Sequence, residues 1–330
     1  MKILVIGCGS IGKRHIKNLL KMNFKLKNIH VVETRKDRIK EINKLGIKNT
    51  FNNLNEALKN KYFAGFVCSP TSLHMDQCIK LAKNRINLFI EKPLSSNLKR
   101  INFLKKLVKK NKLTVLIAYI FRFEPSINVI KKIIKNRKIG KILYIRGEFS
   151  EYLPDWHPYE NYRKFYMAKK TAGGGSILDQ SHIMDLIHYI IGPFDRVMAF
   201  NSKISPLQIK SDDIAELIIK MKNGTIASIH TDIFGRKHEK RFEIKGTKGS
   251  VNWDFYNKEI MIFNALTKKT KIIKNFMKDF NKNYINEVRH FLSCCRNKRK
   301  TISPLEDGID TMKLILSAEK SSKLKKEKRI

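Results

Sequence analysis

The sequence predicts an α/β protein of two domains: a doubly wound parallel sheet over residues 1–120, then an α+β domain with an open, mostly antiparallel sheet over residues 121–330. Three observations carry that expectation. Short apolar runs alternate with amphipathic stretches through about residue 120, the rhythm of strand, helix, strand. A glycine-rich turn, Gly7 to Gly12, joins the first apolar run to the first amphipathic one. Further on the rhythm becomes one of alternating runs divided by turn signals, of which Asn223-Gly224 is the strongest short-range hairpin signal.

Taken in order, KILVI at residues 2–6 is a strand that stops at Gly7, and an amphipathic helix follows from Ile11 to about Met22. IHVVE is a second strand ending at Glu33, with a basic helix after it from about Lys36 to Leu45. FAGFVCSP reads as a strand closing in a Ser69-Pro70 turn, followed by a helix from about Leu73 to Lys83 and by INLFIEKP as a further strand. A helix from about Leu98 to Lys110 leads to LTVLIAYIF, a buried strand. In the second half a helix near Pro125 to Asn136 precedes the long strand KILYIRGEFS. A glycine-led helix, GGGSILDQSHIMDLIHYIIG, spans Gly173 to Gly192. The hairpin DIAELIIKMKNGTIASIHTDIF comes next, and RFEIKGTKGSVNWDF repeats the pattern around Gly246 to Gly249. The terminal KSSKLKKEKRI reads as a solvated helix end.

At 330 residues each domain is long enough to bury a core of its own. A composition of 42% hydrophobic and 29% charged residues is that of a soluble globular chain. No apolar run approaches the roughly 20 residues that a membrane helix needs. The opening MKILVIGCGSIG imitates an export signal, but its apolar core is only Ile3 to Ile6, short of the ~7 residues such a signal requires. The five cysteines form no metal-type spacing, and their odd number without an export signal implies reduced thiols in a cytoplasm. A formal net charge of +39, from 68 Lys+Arg against 29 Asp+Glu, calls for a search for nucleic-acid features. The lysines, however, are spread along the whole length among Asn and Ile, with no basic arm, zinc module or aromatic RNA-binding signature. No specific nucleic acid is therefore expected; attraction of acidic substrates or weak polyanion binding stays open.

GCGSIG places Gly7, Gly9 and Gly12 in the G-x-G-x-x-G spacing of a Rossmann dinucleotide site. The first glycine makes a tight turn, the second lets backbone approach a pyrophosphate, and the third lets helix pack on strand. Unpaired N–H groups at the helix start, with the positive end of its dipole, suit phosphates. Glu33 closes the second strand about 20 residues further on, where a carboxylate can bind a ribose 2′-hydroxyl, which favours NAD. Arg35 and Lys36 keep NADP possible.

FIEKPLSSN and GGGSILDQSHIMD, with SPTSLH at Ser69 to His74 and FRFEP at Phe121 to Pro125, make nearly the whole chain resemble the Gfo/Idh/MocA oxidoreductase family, named for glucose-fructose oxidoreductase, inositol dehydrogenase and rhizopine catabolism. The resemblance implies an enzyme that moves hydride between a nicotinamide and a carbinol or carbonyl carbon of a sugar, cyclitol or nucleotide-sugar derivative. It implies cofactor contacts at Gly7, Gly9, Ser10, Ile11, Gly12, Glu33, Arg35, Ser69, Pro70, His74, Glu91 and Lys92. Substrate contacts are expected at Lys92, Arg122, Trp156, His157, Tyr159, Arg163, Asp179 and His182, of which Arg122, Trp156, His157, Tyr159 and Arg163 could equally pack between domains. YLPDWHPYENYRKFY, from Tyr152, is similar to a subgroup among enzymes of bacterial surface-sugar pathways. A homo-oligomer is expected, and the alternative to an enzyme is a cofactor-sensing regulator or scaffold of the same fold, against which the retention of Lys92 and His182 counts.

Lys92 follows a sheet strand at the carboxyl edge, where ligands bind in open α/β sheets, and its ammonium can hydrogen-bond a reacting oxygen. A cis Lys92-Pro93 bond is expected there. Asp179, His182, Asp185 and His188 recur every third residue of the glycine-led helix. On one continuous helix each lags its predecessor by about 60°, so four ligands cannot converge on a metal, and none is expected. Adjacent members can meet, so Asp179 can orient His182, and a histidine beside a carboxylate suits general acid/base work. Many family members carry Asp-x-x-x-His where this chain has Asp179-x-x-His182; the His182-x-x-Asp185 part is kept. Catalytic roles are therefore expected for Lys92, His182 and, through the altered spacing, Asp179, while His188 reads as structural.

Overall fold

The computed structural model describes residues 1–156, 160–274, 276 and 279–330. Contacts divide the chain into two compact units, Met1–Ile120 with Asn281–Gly308, and Phe121–Phe280 with Ile309–Ile330. Residues 281–308, assigned from sequence to the second domain, thus pack with the first. The reason is hydrogen bonding that no sequence pattern announces. Asn281 and Asn18 exchange side-chain bonds of 3.2 and 2.8 Å, the Thr301 hydroxyl donates to the Val115 carbonyl at 2.6 Å, and the Ile117 N–H donates to the Ser303 carbonyl at 2.9 Å.

The first unit opens with β1 (Ile3–Ile6), α1 (Ser10–Lys21), β2 (Ile29–Val32), α2 (Lys36–Lys44), β3 (Thr50–Phe51) and α3 (Leu54–Ala57). It continues with β4 (Ala64–Val67), α4 (His74–Lys83), β5 (Asn87–Ile90), α5 (Ile101–Lys110) and β6 (Val115–Ile117). All six strands run parallel in the order β3-β2-β1-β4-β5-β6. Every residue of β1, β2 and β4 is buried, as a sheet covered by helices on both faces requires. The order reverses between β1 and β4, the kind of switch point outside whose carboxyl ends ligands bind in open α/β sheets. The last strand is shorter than LTVLIAYIF suggests, because the chain turns into a 3-10 segment at Ile120–Phe123.

The second unit contains α6 (Pro125–Lys135), β7 (Ile142–Tyr152), α7 (Ser176–Asp179), α8 (Ser181–Ile191), β8 (Phe194–Ser202), β9 (Ile214–Met221) and β10 (Ile226–Asp232). After these come β11 (Phe234–Gly246), β12 (Gly249–Asp254), β13 (Glu259–Asn264) and β14 (Thr270–Lys274). The chain ends with α9 (Asn281–Asn297) in the first unit, α10 (Leu305–Leu324), and β15 (Lys328–Arg329). The nine-stranded sheet runs β14-β13-β12-β11-β7-β10-β9-β8-β15, antiparallel except where β10 lies parallel to β7.

Alternation assigns the faces of this sheet. On β9, Ala215, Leu217, Ile219 and Met221 are buried while Glu216, Ile218 and Lys220 point the other way, into solvent. The covered face receives α8: a Cβ at Gly147 on β7 would come within 2.6 Å of Ile183, so glycine lets the helix sit directly on the strand. The uncovered face keeps Phe200 at 70% exposure and Ile218 at 55%. Two expectations need correcting. The glycine-led helix is not continuous but breaks at Gln180 into α7 and α8, so the 60° offset does not relate Asp179 to His182. The terminal basic segment is not simply a helix end, since Lys328 and Arg329 pair with Val197 and Arg196 of β8.

On the uncovered face His230 of β10 lies between Glu216 of β9, bonded at Nδ1, and Asp232, bonded at Nε2 at 2.8 Å. The hydrogen bond His230 donates to Asp232 is the largest influence; together with Glu216 it outweighs burial and raises the His230 pKa from 6.5 to about 9. A raised folded pKa contributes stability that is complete below the unfolded value and lost as pH rises through the folded one. The melting-temperature advantage of wild type over His230→Gln should be largest below pH 6.5 and shrink toward zero above pH 9; an advantage that is flat over this range contradicts the assignment.

Candidate active site

In the first unit the glycine turn is built by backbone contacts too close for side chains. Gly7 has φ +87°, and a Cβ there would lie 2.8 Å from the Cys68 carbonyl oxygen. A Cβ on Gly12 would lie 2.0 Å from the Gly7 oxygen, so α1 rests against the turn itself. Gly9 differs: its Cβ position meets nothing nearer than the Arg38 side chain at 3.7 Å, leaving its outer side to a ligand. Gly9 is also the cap residue of α1, which has no side-chain cap and no acidic residue in its first turn. Ser10, Ile11 and Gly12 therefore open a helix whose N-terminal N–H groups suit a diphosphate, and the cradle fits a dinucleotide.

Glu33 stands behind this turn. It is 5% exposed, and its carboxylate accepts from the N–H of Cys8 at 2.7 Å, of Thr34 at 2.8 Å and of Arg35 at 3.0 Å, with Arg38 at 3.8 Å. The acid expected to touch a ribose thus also fastens the turn to the end of β2. Arg35 itself reaches outward to a bidentate pair with Asp37, at 3.1 and 2.5 Å. Arg38, which the sequence reading passed over, is the cation beside both Glu33 and Gly9; its position one helical turn into α2 was the available signal.

Lys92 follows β5, and the Lys92-Pro93 peptide is cis, as expected. Its N–H donates to the Glu91 carboxylate at 3.3 Å. Two assigned cofactor contacts prove to be braces of this segment. His74, 1% exposed, spans the Pro93 and Ser69 carbonyls at 3.0 and 2.9 Å, and burial lowers its pKa against the pull of those two bonds. Glu91, 8% exposed, bonds His15 of α1 at 2.8 Å. Both side chains lie inside the fold, tying α1 and α4 to the segments that leave β4 and β5. Ser69 keeps its hydroxyl on Gln77 at 2.7 Å, beside an exposed Pro70.

In the second unit Asp179 accepts from the Tyr166 hydroxyl at 2.9 Å, and His182 lies in the first turn of α8 with its ring edge-on to Phe121, centroids 5.2 Å apart. Three residues on, Asp185 forms a bidentate pair with Arg122, at 2.9 and 2.5 Å. Arg122 is 1% exposed, and its pair with Asp185 anchors α8 to the segment after β6. Trp156 packs against the Leu153, Met167 and Ile233 cluster, and Arg163 is exposed beside the Tyr162 ring. His157 and Tyr159 lie outside the described residues. His188 sits 3.7 Å from Asp310. Among the described residues no group of three or more His, Cys, Asp or Glu is arranged to hold a metal ion.

Two further acids at this end of the unit carried no sequence signal. Asp212 accepts from the Ile177 N–H at 3.0 Å, and burial raises its pKa to about 6 against that bond. A Cβ on Gly175, at φ +126°, would lie 2.3 Å from the Asp212 carboxylate, so the glycines of GGGS make room for this acid. Glu151, near the end of β7, accepts from Lys240 at 2.5 Å, Tyr256 at 3.1 Å and Gln180 at 3.1 Å. Burial opposes its ionisation, but the Lys240 charge and the three donated bonds prevail and hold its pKa below the usual range.

The Glu33 geometry has a measurable consequence that needs no cofactor. Glu33→Ala removes the acceptor of the Cys8, Thr34 and Arg35 N–H groups, and a buried unsatisfied donor costs roughly 1–3 kcal/mol. Denaturant unfolding of the protein without nucleotide should register that loss; equal midpoints for variant and wild type contradict the bracing role.

Over residues 1–119 the chain matches the oxidoreductase family with an NAD-binding Rossmann fold, and over residues 127–252 the GFO/IDH/MocA C-terminal domain. The myo-inositol 2-dehydrogenase of Thermotoga maritima is 26% identical over 333 residues, spanning 97% of this chain and 96% of its own. The scyllo-inositol 2-dehydrogenase (NAD(+)) of Bacillus subtilis is 26% identical over 321 residues, spanning 94% of this chain and 90% of its own. In fold the chain is similar to levoglucosan dehydrogenase in complex with NADH and levoglucosan, with a TM-score of 0.88 over 100% of this chain and 99% of that one at 20% identity. Motifs, architecture and both domain matches agree: the chain belongs to the GFO/IDH/MocA family of NAD-binding oxidoreductases.

Proposed function

We propose that this protein is an NAD-dependent dehydrogenase or reductase acting on a carbinol or carbonyl of a sugar, cyclitol or related polyol. The observation that carries the reading is the glycine turn: open at Gly9, closed by backbone at Gly7 and Gly12, and backed by the Glu33 carboxylate. A nicotinamide held there supplies the hydride acceptor or donor, and the protein's share is binding, orientation and proton management. Gly9, Ser10 and Ile11 would hold the diphosphate by backbone N–H groups, and Glu33 the adenosine ribose. The inositol dehydrogenases among the relatives support the substrate class.

His182 is assigned the proton of the reacting hydroxyl. Its place in the first turn of α8, held by the Arg122–Asp185 pair one turn further on, supports an imidazole of fixed direction. Asp179, fixed by Tyr166, is assigned the orientation of the polar groups around it. Lys92 is assigned a hydrogen bond to the reacting oxygen; its support is the rigid setting of Glu91 and Pro93, each bonded to a buried histidine. Exposed Met198, Phe200 and Ile218 on the uncovered sheet face support a homo-oligomer, and five free cysteines support a reducing compartment such as the cytoplasm. Among the described residues no helix is long and apolar enough to cross a membrane.

Absorbance of the reduced nicotinamide, followed with sugars and cyclitols, tests the reading directly. Lys92→Met or His182→Asn should lower turnover by about two orders of magnitude or more, the scale of a lost acid/base group, while NADH still binds. Unchanged turnover removes the residue from the mechanism, and lost NADH binding in the His182 variant makes its role structural. In direct titration NAD(H) should bind more tightly than NADP(H), and Glu33→Ala should narrow that gap; a wild-type preference for NADP(H) would give the decision to Arg35 and Arg38.

A further inference from the structure

Glu151, Lys240, Tyr256 and Gln180 form a polar cluster that the mechanism above does not use. Gly147, Phe149 and Glu151 alternate along β7 and so share its covered face. At Gly147 that face carries α8, through Ile183. Four residues on, roughly 13 Å along the strand, Glu151 meets Gln180, the residue preceding α8. The cluster therefore lies at the same end of α8 as His182. Aromatic contacts link the two: the Phe121 ring lies 5.2 Å from His182 and 5.3 Å from Phe255, and Phe255 and Tyr256 are 5.2 Å apart.

The make-up of the cluster narrows what it can bind. Lys240 Nζ lies 5.9, 6.0 and 5.7 Å from the rings of Phe149, Phe255 and Tyr256, and both charged side chains are 14% exposed. Tyr256, at 42% exposure, leaves one side open to solvent. An ion pair this enclosed adds little stability over apolar residues of the same size, so stability alone does not account for it. The ammonium has three protons, one on Glu151 and a second directed at the Tyr256 hydroxyl at 3.5 Å, and the carboxylate offers about four acceptor positions, three of them filled. The pair is neutral overall and can donate and accept side by side. A hydroxyl also donates and accepts, whereas a phosphate or carboxylate can only accept and would face the Glu151 charge. Aromatic rings around such a pair suit the C–H face of a polyol ring.

We infer that Glu151, Lys240 and Tyr256 form the specificity site of this enzyme, binding adjacent hydroxyls of an uncharged polyol ring beside the carbon that reacts. The inference rests on the oxidoreductase reading for the reaction and adds the charge class of the substrate. Hydrogen bonds there are made in both ground and transition states, so their loss belongs mainly in KM.

The test uses the full-length protein with NADH or NAD. Binding of myo-inositol, levoglucosan, gluconate and glucose 6-phosphate is measured by calorimetry, and turnover of each by nicotinamide absorbance. Wild type should bind a neutral probe more tightly than either anion. Lys240→Met should raise KM and Kd for that probe at least tenfold, with a much smaller fall in kcat. Since that variant leaves Glu151 buried without its cation, the double variant Glu151→Gln with Lys240→Gln, which removes both charges, should show the same rise. Tighter binding of an anion, an unchanged KM in both variants, or a loss confined to kcat each overturns the inference while leaving the oxidoreductase reading intact. Binding of a neutral probe without turnover of any polyol removes that reading instead and leaves the site standing. No binding and no turnover of any probe by NADH-bound wild type removes both.

Discussion

The approach of α1 to the end of β1 is the constraint on which the nucleotide unit depends. With the Cβ position of Gly12 only 2.0 Å from the Gly7 oxygen, helix and turn are in backbone contact, and any side chain at residue 12 forces them apart. That contact fixes the direction of α1, and with it three other features. The N-terminal N–H groups face the carboxyl edge of the sheet. The Cys8 N–H meets Glu33, so strand β2 is tied to the turn. His15, one turn along α1, meets Glu91 and so reaches the segment carrying Lys92. A packing requirement at one glycine thus positions the start of α1, Glu33 and the segment of Lys92, which lie far apart in sequence.

The second unit uses a different device to the same end. Its parts are joined through charged groups: Arg122 with Asp185 ties α8 to the segment after β6, Glu151 with Lys240 ties β7 to β11, and Asp212 accepts from the start of α7. A buried pair is costly to break, because the surviving charge is left without a partner. Such pairs tolerate little displacement, which suits the oriented His182 of the proposed function. The glycine at 175 and the break at Gln180 belong to this arrangement, since they let the chain change direction beside Asp212 and place Gln180 on Glu151.

Features encoded by local pattern were legible in the sequence. Five of the six parallel strands, the Asn223-Gly224 hairpin, the glycine turn and Glu33 each follow from periodicity or from residues a few positions apart; the two-residue β3 is too short to leave a pattern. What escaped notice depends on distant partners. Arg122 and Asp185 are 63 residues apart, Glu151 and Lys240 are 89, and His15 and Glu91 are 76. No periodicity relates them. His74 and Glu91 are expected at the cofactor through the family resemblance, and their bonds to the Pro93 and Ser69 carbonyls and to His15 are a further role that no local pattern announces. The return of residues 281–308 to the first unit was invisible for the same reason: its bonds to Asn18, Val115 and Ile117 leave no mark on the intervening chain. The break at Gln180 was hidden differently, because SILDQSHIMD is a good helical sequence and the bend answers to Asp212 and Glu151.

The abundance of lysine has a mechanical side at the rims of the nine-stranded sheet. An outermost strand offers unpaired N–H and C=O groups on which another chain can polymerise. One rim is β14, Thr-Lys-Ile-Ile-Lys, and the other is β15, whose two residues are Lys328 and Arg329. A neighbour docking strand to strand at either rim would bring like charges together and find few groups to pair. Strand-to-strand growth of this wide sheet is thereby opposed at both rims, so that a diffuse charge excess guards the edges while leaving the broad face untouched.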